Sequence, residues 1–364
     1  MCAEPLARVN FRLTPPVNRG PQRGLSIIEL MVGMVIALLV GMAATGSANT
    51  FMASQRQGMG MGGVTLSANT ALTAMRDEAA SAGLGFFGDR LYRCHKINLS
   101  IGAAPLIDGA DFTPINVTAE TAGDRIDVVY ATQVASGANA LLKADTTGAD
   151  ATVRSLVPAA VGDAVMLAPV TPGTPCLVRT VTAITASTDD LPQVLSFADT
   201  TTDVHNSAVY TTNPTFPDMG RITLLGNLQW SRYRLNGTNL ELERPLTSGS
   251  TAVVLARNVI GFRTEYGLAA AAAGSTALQS WQAPTGGFAA LTPALLPRVR
   301  ALRIGMVTRS PQREKPDAAG NCNASATMPQ LFGNTITPDV TDWQCYRYRT
   351  AFVVVPLRNL VVGL

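Results

Sequence analysis

The chain has 364 residues, of which 47% are hydrophobic and only 15% are charged. This composition excludes a wholly disordered protein and is enough for one or two domains with a sizeable core. The net charge is +3, but four of the 28 basic and one of the 25 acidic side chains lie in residues 1–24, which leaves 24 of each in the remainder. A neutral body argues against a nucleic-acid-binding protein, whose bound face is strongly basic.

The first predicted element is an apolar helix. No residue from Leu30 to Ala44 is charged. A helix over residues 25–51 would be about 40 Å long at about 1.5 Å per residue, which is enough to cross a bilayer. Because four arginines precede this helix, the positive-inside rule predicts a cytoplasmic segment 1–24 and an exported C-terminal part.

Two interpretations of this helix compete: a cleavable secretory signal, cut near Gly46-Ser47-Ala48, and a retained membrane anchor. Glu29 distinguishes them in part, because a carboxylate in the membrane costs a few kcal/mol at the centre and less near an end. A plain signal gains nothing from it. Cleavage after Gly24 would create a positive partner for it, the α-amino group of Leu25.

The stretch Arg-Gly-Leu-Ser-Ile-Ile-Glu-Leu, residues 23–30, resembles the class III signal of type IV prepilins and type II secretion pseudopilins. In that family a prepilin peptidase cuts after the Gly and methylates the new N-terminal residue. The resemblance implies cleavage after Gly24 and N-methylation of Leu25. It also implies that Glu29 neutralises the N-terminal amine of a neighbouring subunit in the filament, a pair strongly favoured at low dielectric. The leader of 24 residues is long for the family. Mature chains of the family more often begin with Phe than with Leu.

Residues 52–88 are predicted to form the periplasmic half of the helix. Four glycines in residues 52–63 superficially suggest a nucleotide loop, but no strand precedes them and no P-loop Lys follows. We expect a flexible or partly melted helix section there, because each Gly lowers helix propensity by about 1 kcal/mol. Leu72, Met75 and Ala79 recur at helical spacing and predict a face that packs on a sheet.

Residues 89–364 are predicted to be a β-rich periplasmic domain. Short β-branched runs separated by turn residues predict strands within 126–132, 164–170, 176–185, 252–267, 299–310 and 348–360. The clearest hairpin covers residues 228–246, with Asn236-Gly237 as its turn. Ala-, Gly- and Thr-rich segments predict long loops at 133–150, 268–278 and 311–341.

Two further stretches resemble PilW-like minor pilins. The first is the end of the helix, with Arg76-Asp77, Gly83, the Phe86-Phe87 pair and a later Cys; the second is the terminal Leu357-Arg358-Asn359. The resemblance implies an α+β, pilin-like fold, in which a long N-terminal helix with a transmembrane and an amphipathic half packs on a β-rich antiparallel C-terminal domain.

Five cysteines occur, and Cys2 lies in the predicted leader. The other four permit two disulfides in an exported domain, with three pairings open. Proximity in the sequence favours Cys322–Cys345, which leaves Cys94–Cys176. The sequence contains no C-x-x-C pair, the pattern that would suggest a zinc or redox site.

No catalytic motif is evident: the sequence has no G-x-S-x-G, H-E-x-x-H or Walker pattern, and only two histidines. We expect His95 at the edge of the core, Asp108 and Asp111 in a turn rather than a calcium site, and the aromatic residues of 343–348 on an edge strand. The sequence therefore predicts neither an enzyme nor a bound metal or cofactor.

The function that this reading implies is structural: a minor pilin of a type IV pilus, at the tip and active in assembly initiation. The implied partners are other minor pilins, the major pilin, prepilin peptidase, the inner-membrane assembly platform and a tip adhesin. The implied location is the inner membrane, with a periplasmic domain, and then the pilus. A type II secretion minor pseudopilin shares every N-terminal feature, and a signal-anchored periplasmic enzyme or binding protein is a third alternative.

Overall fold

The computed structural model describes residues 26–86, 94–133, 135–171, 173–188, 192–198, 204–270, 275, 277–317 and 319–360. The chain divides into two units between Arg56 and Gln57. The N-terminal unit is helical in its described part, and the C-terminal unit combines helix with sheets. The predicted α+β class, an apolar N-terminal helix followed by a β-rich antiparallel domain, is confirmed.

One α-helix, α1, covers Ile27–Ala80. The described residues also form twenty strands, which in chain order are β1 Lys96–Ile101, β2 Ala104–Asp111, β3 Ile115–Thr118, β4 Arg125–Ala131, β5 Asn139–Leu141, β6 Asp150–Thr152, β7 Ala164–Ala168, β8 Cys176–Thr180, β9 Ala183–Thr185, β10 Val194–Ser196, β11 Arg221–Gly226, β12 Leu228–Asn236, β13 Asn239–Glu243, β14 Val253–Ala256, β15 Val259–Ala269, β16 Leu278–Gln282, β17 Val299–Arg309, β18 Gln330–Leu331, β19 Asn334–Thr335 and β20 Tyr348–Pro356. Short 3-10 helices cover Gly286–Phe288, Leu296–Arg298, Trp343–Cys345 and Arg358–Leu360.

The glycine-rich section of α1 is helical, so the expected partly melted segment is wrong. Gly58, Gly62 and Gly63 have open space where a side chain would lie, whereas Gly60 lies against Pro311, whose Cγ would be 3.2 Å from an added Cβ. Helix propagation adds one hydrogen bond for each residue fixed, and a long helix therefore tolerates glycines that would prevent a short one from forming.

The last turns of α1 bury the predicted apolar face. Ala68, Leu72, Met75 and Ala79 are at most 4% exposed. The helix ends at Ala80, eight residues before the boundary predicted at 88, because the following turn needs positive φ angles at two glycines, 83 and 85.

The strands form four sheets and one small hairpin. A six-stranded sheet has the order β2-β1-β8-β7-β11-β5, a five-stranded sheet β14-β13-β12-β4-β3, a four-stranded sheet β16-β15-β17-β20 and a three-stranded sheet β6-β10-β9. Strands β18 and β19 pair with each other. Among the described strands all pairs are antiparallel except β1 with β8, which is parallel.

The five-stranded sheet is buried on both faces, and the alternation of side chains divides them. Tyr233 and Leu235 of β12 join a core that contains α1 and the four-stranded sheet. Leu228 and Trp230 of the same strand join a second core against the six-stranded sheet. The six-stranded sheet is likewise covered on its other face, where Leu167 of β7 joins a third core with the three-stranded sheet.

Several predicted strands are divided in the structure. Residues 176–185 supply β8 to the six-stranded sheet and β9 to the three-stranded sheet. Residues 252–267 supply β14 and most of β15, which belong to different sheets and are separated by a bend in which Asn258 has a φ of 58°. The predicted hairpin at 228–246 is present, but Asn236 pairs with Asn239, so Gly237 and Thr238 form its turn.

Glycines on the outer face of the four-stranded sheet are covered by side chains from elsewhere. Phe332, at the β18–β19 turn, lies where a side chain on Gly305 would project, and Trp281 lies over Gly267. The Arg303 guanidinium lies between these two rings, 4.3 Å from the centroid of Phe332 and 4.9 Å from that of Trp281. A Cβ on either strand glycine would displace this stack.

One buried carboxylate ties the five-stranded sheet to the four-stranded sheet. Asp124 immediately precedes β4 and is 2% exposed. It accepts hydrogen bonds from the Thr264 N–H at 2.6 Å and from Arg263 Nη1 at 3.2 Å, and its own N–H donates to the Phe262 carbonyl at 2.9 Å. Burial outweighs these contacts and raises the pKa of Asp124 to about 6.

We expect Asp124 to make stability fall as pH rises. Its carboxyl pKa is about 3.9 in an unfolded chain and about 6 in the folded one, so the folded state binds more protons between pH 4 and 6. Over that window the free energy of unfolding should decrease by up to about 3 kcal/mol. Asp124→Asn keeps an acceptor for Thr264 but does not titrate.

Urea unfolding of the detergent-solubilised full chain from pH 4 to pH 8 measures this difference. The stability of Asp124→Asn relative to the natural chain should rise with pH through this window. A difference that is constant with pH, or that falls, would contradict the expectation.

Candidate assembly site at the helix start

The N-terminal unit contains a helix long and apolar enough to cross a membrane. The segment Ile27–Asn49 has 23 residues and a mean hydropathy of 2.5, and none of it is buried inside the protein. Its large apolar side chains, such as Ile28 at 72% and Leu39 at 63%, are exposed. Such a surface fits the apolar interior of a membrane.

Glu29 closes a capping box at the start of this helix. Ser26 is the N-cap residue: its Oγ accepts a hydrogen bond from the Ile28 N–H at 3.3 Å. In return, Glu29 Oε2 accepts a hydrogen bond from the Ser26 N–H at 3.0 Å. Two backbone donors that have no partner within the helix are thereby satisfied.

The sequence analysis missed this box, although its signal is local. Ser-x-x-Glu directly before an apolar run is the capping-box pattern. The box gives Glu29 a role within its own subunit. Its second oxygen, Oε1, has no hydrogen-bond partner among the described residues.

The hydroxyl groups inside the apolar segment are satisfied by the helix itself. Thr45 Oγ1 donates to the carbonyl oxygens of Gly41 at 2.9 Å and Met42 at 3.0 Å, and Ser47 Oγ donates to Ala43 O at 2.9 Å. A membrane supplies no water for such groups, so internal hydrogen bonds are the arrangement that a spanning helix needs.

Gly24 and Leu25, the predicted cleavage and methylation positions, lie outside the described residues. The four remaining predicted positions are cysteines, and they form two disulfides. Cys94 is joined to Cys176 with their Cα atoms 5.7 Å apart, and Cys322 to Cys345 with 4.7 Å between their Cα atoms. The first bond lies in the core between the five-stranded and six-stranded sheets, and the second lies in the loop region that precedes β20.

The structure also places the other residues that the sequence analysis considered as candidates for a site. Asp108, on β2, accepts hydrogen bonds from the N–H of Thr211 at 3.1 Å and from its Oγ1 at 2.6 Å. His95 is exposed beside Cys94. Within the described ranges, no group of three or more His, Cys, Asp or Glu side chains is arranged to hold a metal ion.

A cleft of about 450 Å³ opens beside the β12–β13 turn and is lined by Leu235, Ile260, Arg263 and Asp339, among others. The two charged residues that line it are already engaged. Arg263 pairs with Asp124, and Asp339 pairs with Arg309. The cleft therefore presents no unpaired charge to a ligand from its described lining.

Comparison with known proteins shows what the C-terminal part of the chain is similar to. Residues 235–359 match the model of the family described as type IV pilus-assembly protein W, PilW. The chain is PilW-like over these residues. The match begins at Leu235, near the end of β12, and includes the whole four-stranded sheet and the loop closed by Cys322–Cys345. The predicted resemblance to PilW is thereby confirmed, although the matched residues do not include the N-terminal helix from which part of it was read.

Among solved structures, a type IV-like pilin from Thermus thermophilus is similar to this chain. The two are 11% identical, the alignment covers 81% of this chain and 95% of that one, and the TM-score is 0.32. At that score the likeness adds nothing to the fold described above. No curated protein matches the sequence.

We expect the capping box to form in a peptide that contains only the start of the helix. In a peptide of residues 25–51 in detergent micelles, Glu29→Ala should speed hydrogen exchange of the Ser26 amide about fivefold, equivalent to a cap of about 1 kcal/mol. Glu29→Gln keeps an acceptor oxygen and should leave that amide as protected as in the natural sequence. Equal exchange rates in all three peptides, measured by NMR, would show that the box does not form.

Proposed function

We propose that this chain is a minor pilin of a type IV pilus that takes part in pilus assembly and initiation at the filament tip. The proposal rests mainly on one combination: a PilW match over residues 235–359 and an apolar N-terminal segment with a carboxylate in its first turn. Its role is structural, through helix insertion and subunit contact rather than chemistry on a substrate.

The proposed mechanism begins with processing. Prepilin peptidase cuts after Gly24, and Leu25 becomes the N-methylated first residue. The capping box survives this cut, because Ser26 and Glu29 both remain in the mature chain. Glu29 then holds its own helix start through Oε2 and offers Oε1 to the N-terminal amine of a neighbouring subunit. In a medium of low dielectric that pair is strongly favoured over either charge alone.

The helix beyond the apolar segment supports the same role. Between Arg56 and Arg76 the sequence carries no charge. In residues 57–75 the face opposite the core includes Met59 and Leu66, which are 64% and 70% exposed. Such a face suits contact with other helices, since burying it desolvates no charged side chain.

The proposed partners are other minor pilins, the major pilin, prepilin peptidase, the inner-membrane assembly platform and a tip adhesin. The proposed location is the inner membrane, with the β-rich domain in the periplasm, and later the pilus. A type II secretion pseudopilin would share the N-terminal features, but the PilW match favours a pilus.

The N-terminal residue and intact mass of the membrane-bound protein from its native host test the processing step. A chain that begins at N-methylated Leu25 is expected. A chain that begins near Asn49 would identify a secretory signal, and one that retains Met1 would identify an uncleaved anchor. Either result would refute the proposal.

Two substitutions separate the two roles of Glu29. Glu29→Gln keeps the capping acceptor and removes the charge, whereas Glu29→Ala removes both. Charge pairing predicts that both variants are exported and inserted normally, yet are recovered from sheared pili at one tenth of the natural level or less. If Glu29→Gln enters pili normally while Glu29→Ala does not, the carboxylate acts through the helix start alone and the charge-pair mechanism fails.

A further inference from the structure

The sheet edges of the C-terminal unit differ in how well they are protected. Most edge strands are short: β3 and β14 have four residues, β16 five, and β5, β6 and β9 three each. The edge strand β2 is longer, but it carries Pro105 and two register shifts against β1. Short strands, bulges and prolines are the usual means of preventing a sheet edge from pairing with another chain.

Strand β20 lacks these protections over most of its length. It is the edge strand of the four-stranded sheet, with nine residues from Tyr348 to Pro356 and nine consecutive pairs to β17 without a register shift. Its only proline is its last residue. No described strand pairs with its outer side.

The register identifies which backbone groups point outward. The Ser310 N–H donates to Arg347 O, and the Leu357 N–H donates to Arg300 O. In an antiparallel pair, hydrogen-bonded residues alternate with residues whose N–H and C=O point away from the partner. With no shift between these two bonds, the odd-numbered residues of β20 bond to β17. Thr350, Phe352 and Val354 therefore direct their N–H groups to the open edge, where these groups have no partner among the described residues.

The side chains of the same residues are unusually apolar for an open edge. Phe352 is 63% and Val354 44% exposed, on the face opposite the core that Val355 enters. No charged side chain interrupts 350–356. An exposed, regular, apolar edge is a template for a further strand.

The charges around this edge indicate what that strand carries. Arg349 near one end of β20 and Arg358 just past the other are exposed, and neither has an ion-pair partner among the described residues. No described Asp or Glu lies within 348–360. A strand laid along this edge meets apolar side chains at its centre and a positive charge near each end.

We propose that the open edge of β20 is a binding site for an extended segment of another protein, which adds a strand beside Thr350–Val354. That segment alternates apolar residues, which pack on Phe352 and Val354, with residues that include Glu or Asp opposite the arginines. Backbone hydrogen bonds supply much of the affinity, and the charges and Phe352 supply the selectivity. This site does not depend on processing at Gly24 or on Glu29.

A defined peptide tests the site on the detergent-solubilised full chain. The acetylated nonapeptide Val-Glu-Val-Thr-Val-Thr-Val-Glu-Val is palindromic, so it presents both acids in either strand direction. The matched control peptide has Lys at both Glu positions. In the free chain, the amides of residues 350, 352 and 354 should exchange faster than those of 351, 353 and 355. The glutamate peptide should slow the three fast amides at least tenfold and bind at least tenfold more tightly than the lysine peptide.

Two variants make the test specific. Phe352→Lys places a charge on the open edge, and Val354→Pro removes an outward N–H without cutting a bond to β17; each should weaken peptide binding at least tenfold. Val253→Lys, at a 57% exposed valine on the short edge strand β14, is the matched control and should bind like the natural chain.

Other results would overturn the proposal. Uniformly slow exchange along β20 would show that the edge is covered. If the glutamate peptide did not protect residues 350–354, no strand would be added at this edge. If the lysine peptide bound equally well, the partner strand would not be acidic. A concentration-dependent dimer in sedimentation that Phe352→Lys abolishes would identify a second copy of this chain as the occupant instead.

Discussion

Ala68, Leu72, Met75 and Ala79 of α1 share one core with the five-stranded and four-stranded sheets, and the packing of the C-terminal unit depends on that contact. The apolar faces of these two sheets meet in this core beside the helix. Polar contacts fix the helix on the sheet. Glu78 accepts hydrogen bonds from Tyr233 and from Arg244, whose Nη2 lies 2.8 Å from its Oε1. Burial of these four apolar side chains supplies the free energy, and the partly buried Glu78 carboxylate with its two donors sets the position of the helix.

The same side-chain chemistry recurs at the start of α1 with a different outcome. Glu29 is exposed and accepts one hydrogen bond from the part of its own subunit that the structure describes, whereas Glu78 has both oxygens engaged. A carboxylate with an oxygen still available, placed in an apolar segment, gains most from a positive charge that arrives from outside. That is why the capping box is compatible with the proposed subunit contact.

The sheets of the C-terminal unit are shielded from water because they pack on one another in layers. The five-stranded sheet has a core on each face, and so does the six-stranded sheet. The outer face of the four-stranded sheet is covered in part by the rings of Trp281 and Phe332 with Arg303 between them. Beyond Phe332 the cover stops, so that Phe352 contacts Phe332 edge-on and is otherwise largely exposed. The exposed apolar side chains of β20 follow from this incomplete cover, and its open edge follows from its place at the end of the strand order.

The sequence by itself determined the features that depend on short-range order. A charge-free run predicts the apolar helix, the spacing of Leu72, Met75 and Ala79 predicts its buried face, and Asn236-Gly237 predicts the hairpin to within one residue. The capping box was equally local and could have been read from Ser26 and Glu29. Tertiary structure alone decided that residues 176–185 divide between two sheets, that β1 pairs in parallel with β8, that Asp124 is buried and that β20 is an edge. Strand runs look alike whichever neighbour they have, because pairing partners, layering and burial arise from contacts between residues far apart in the chain.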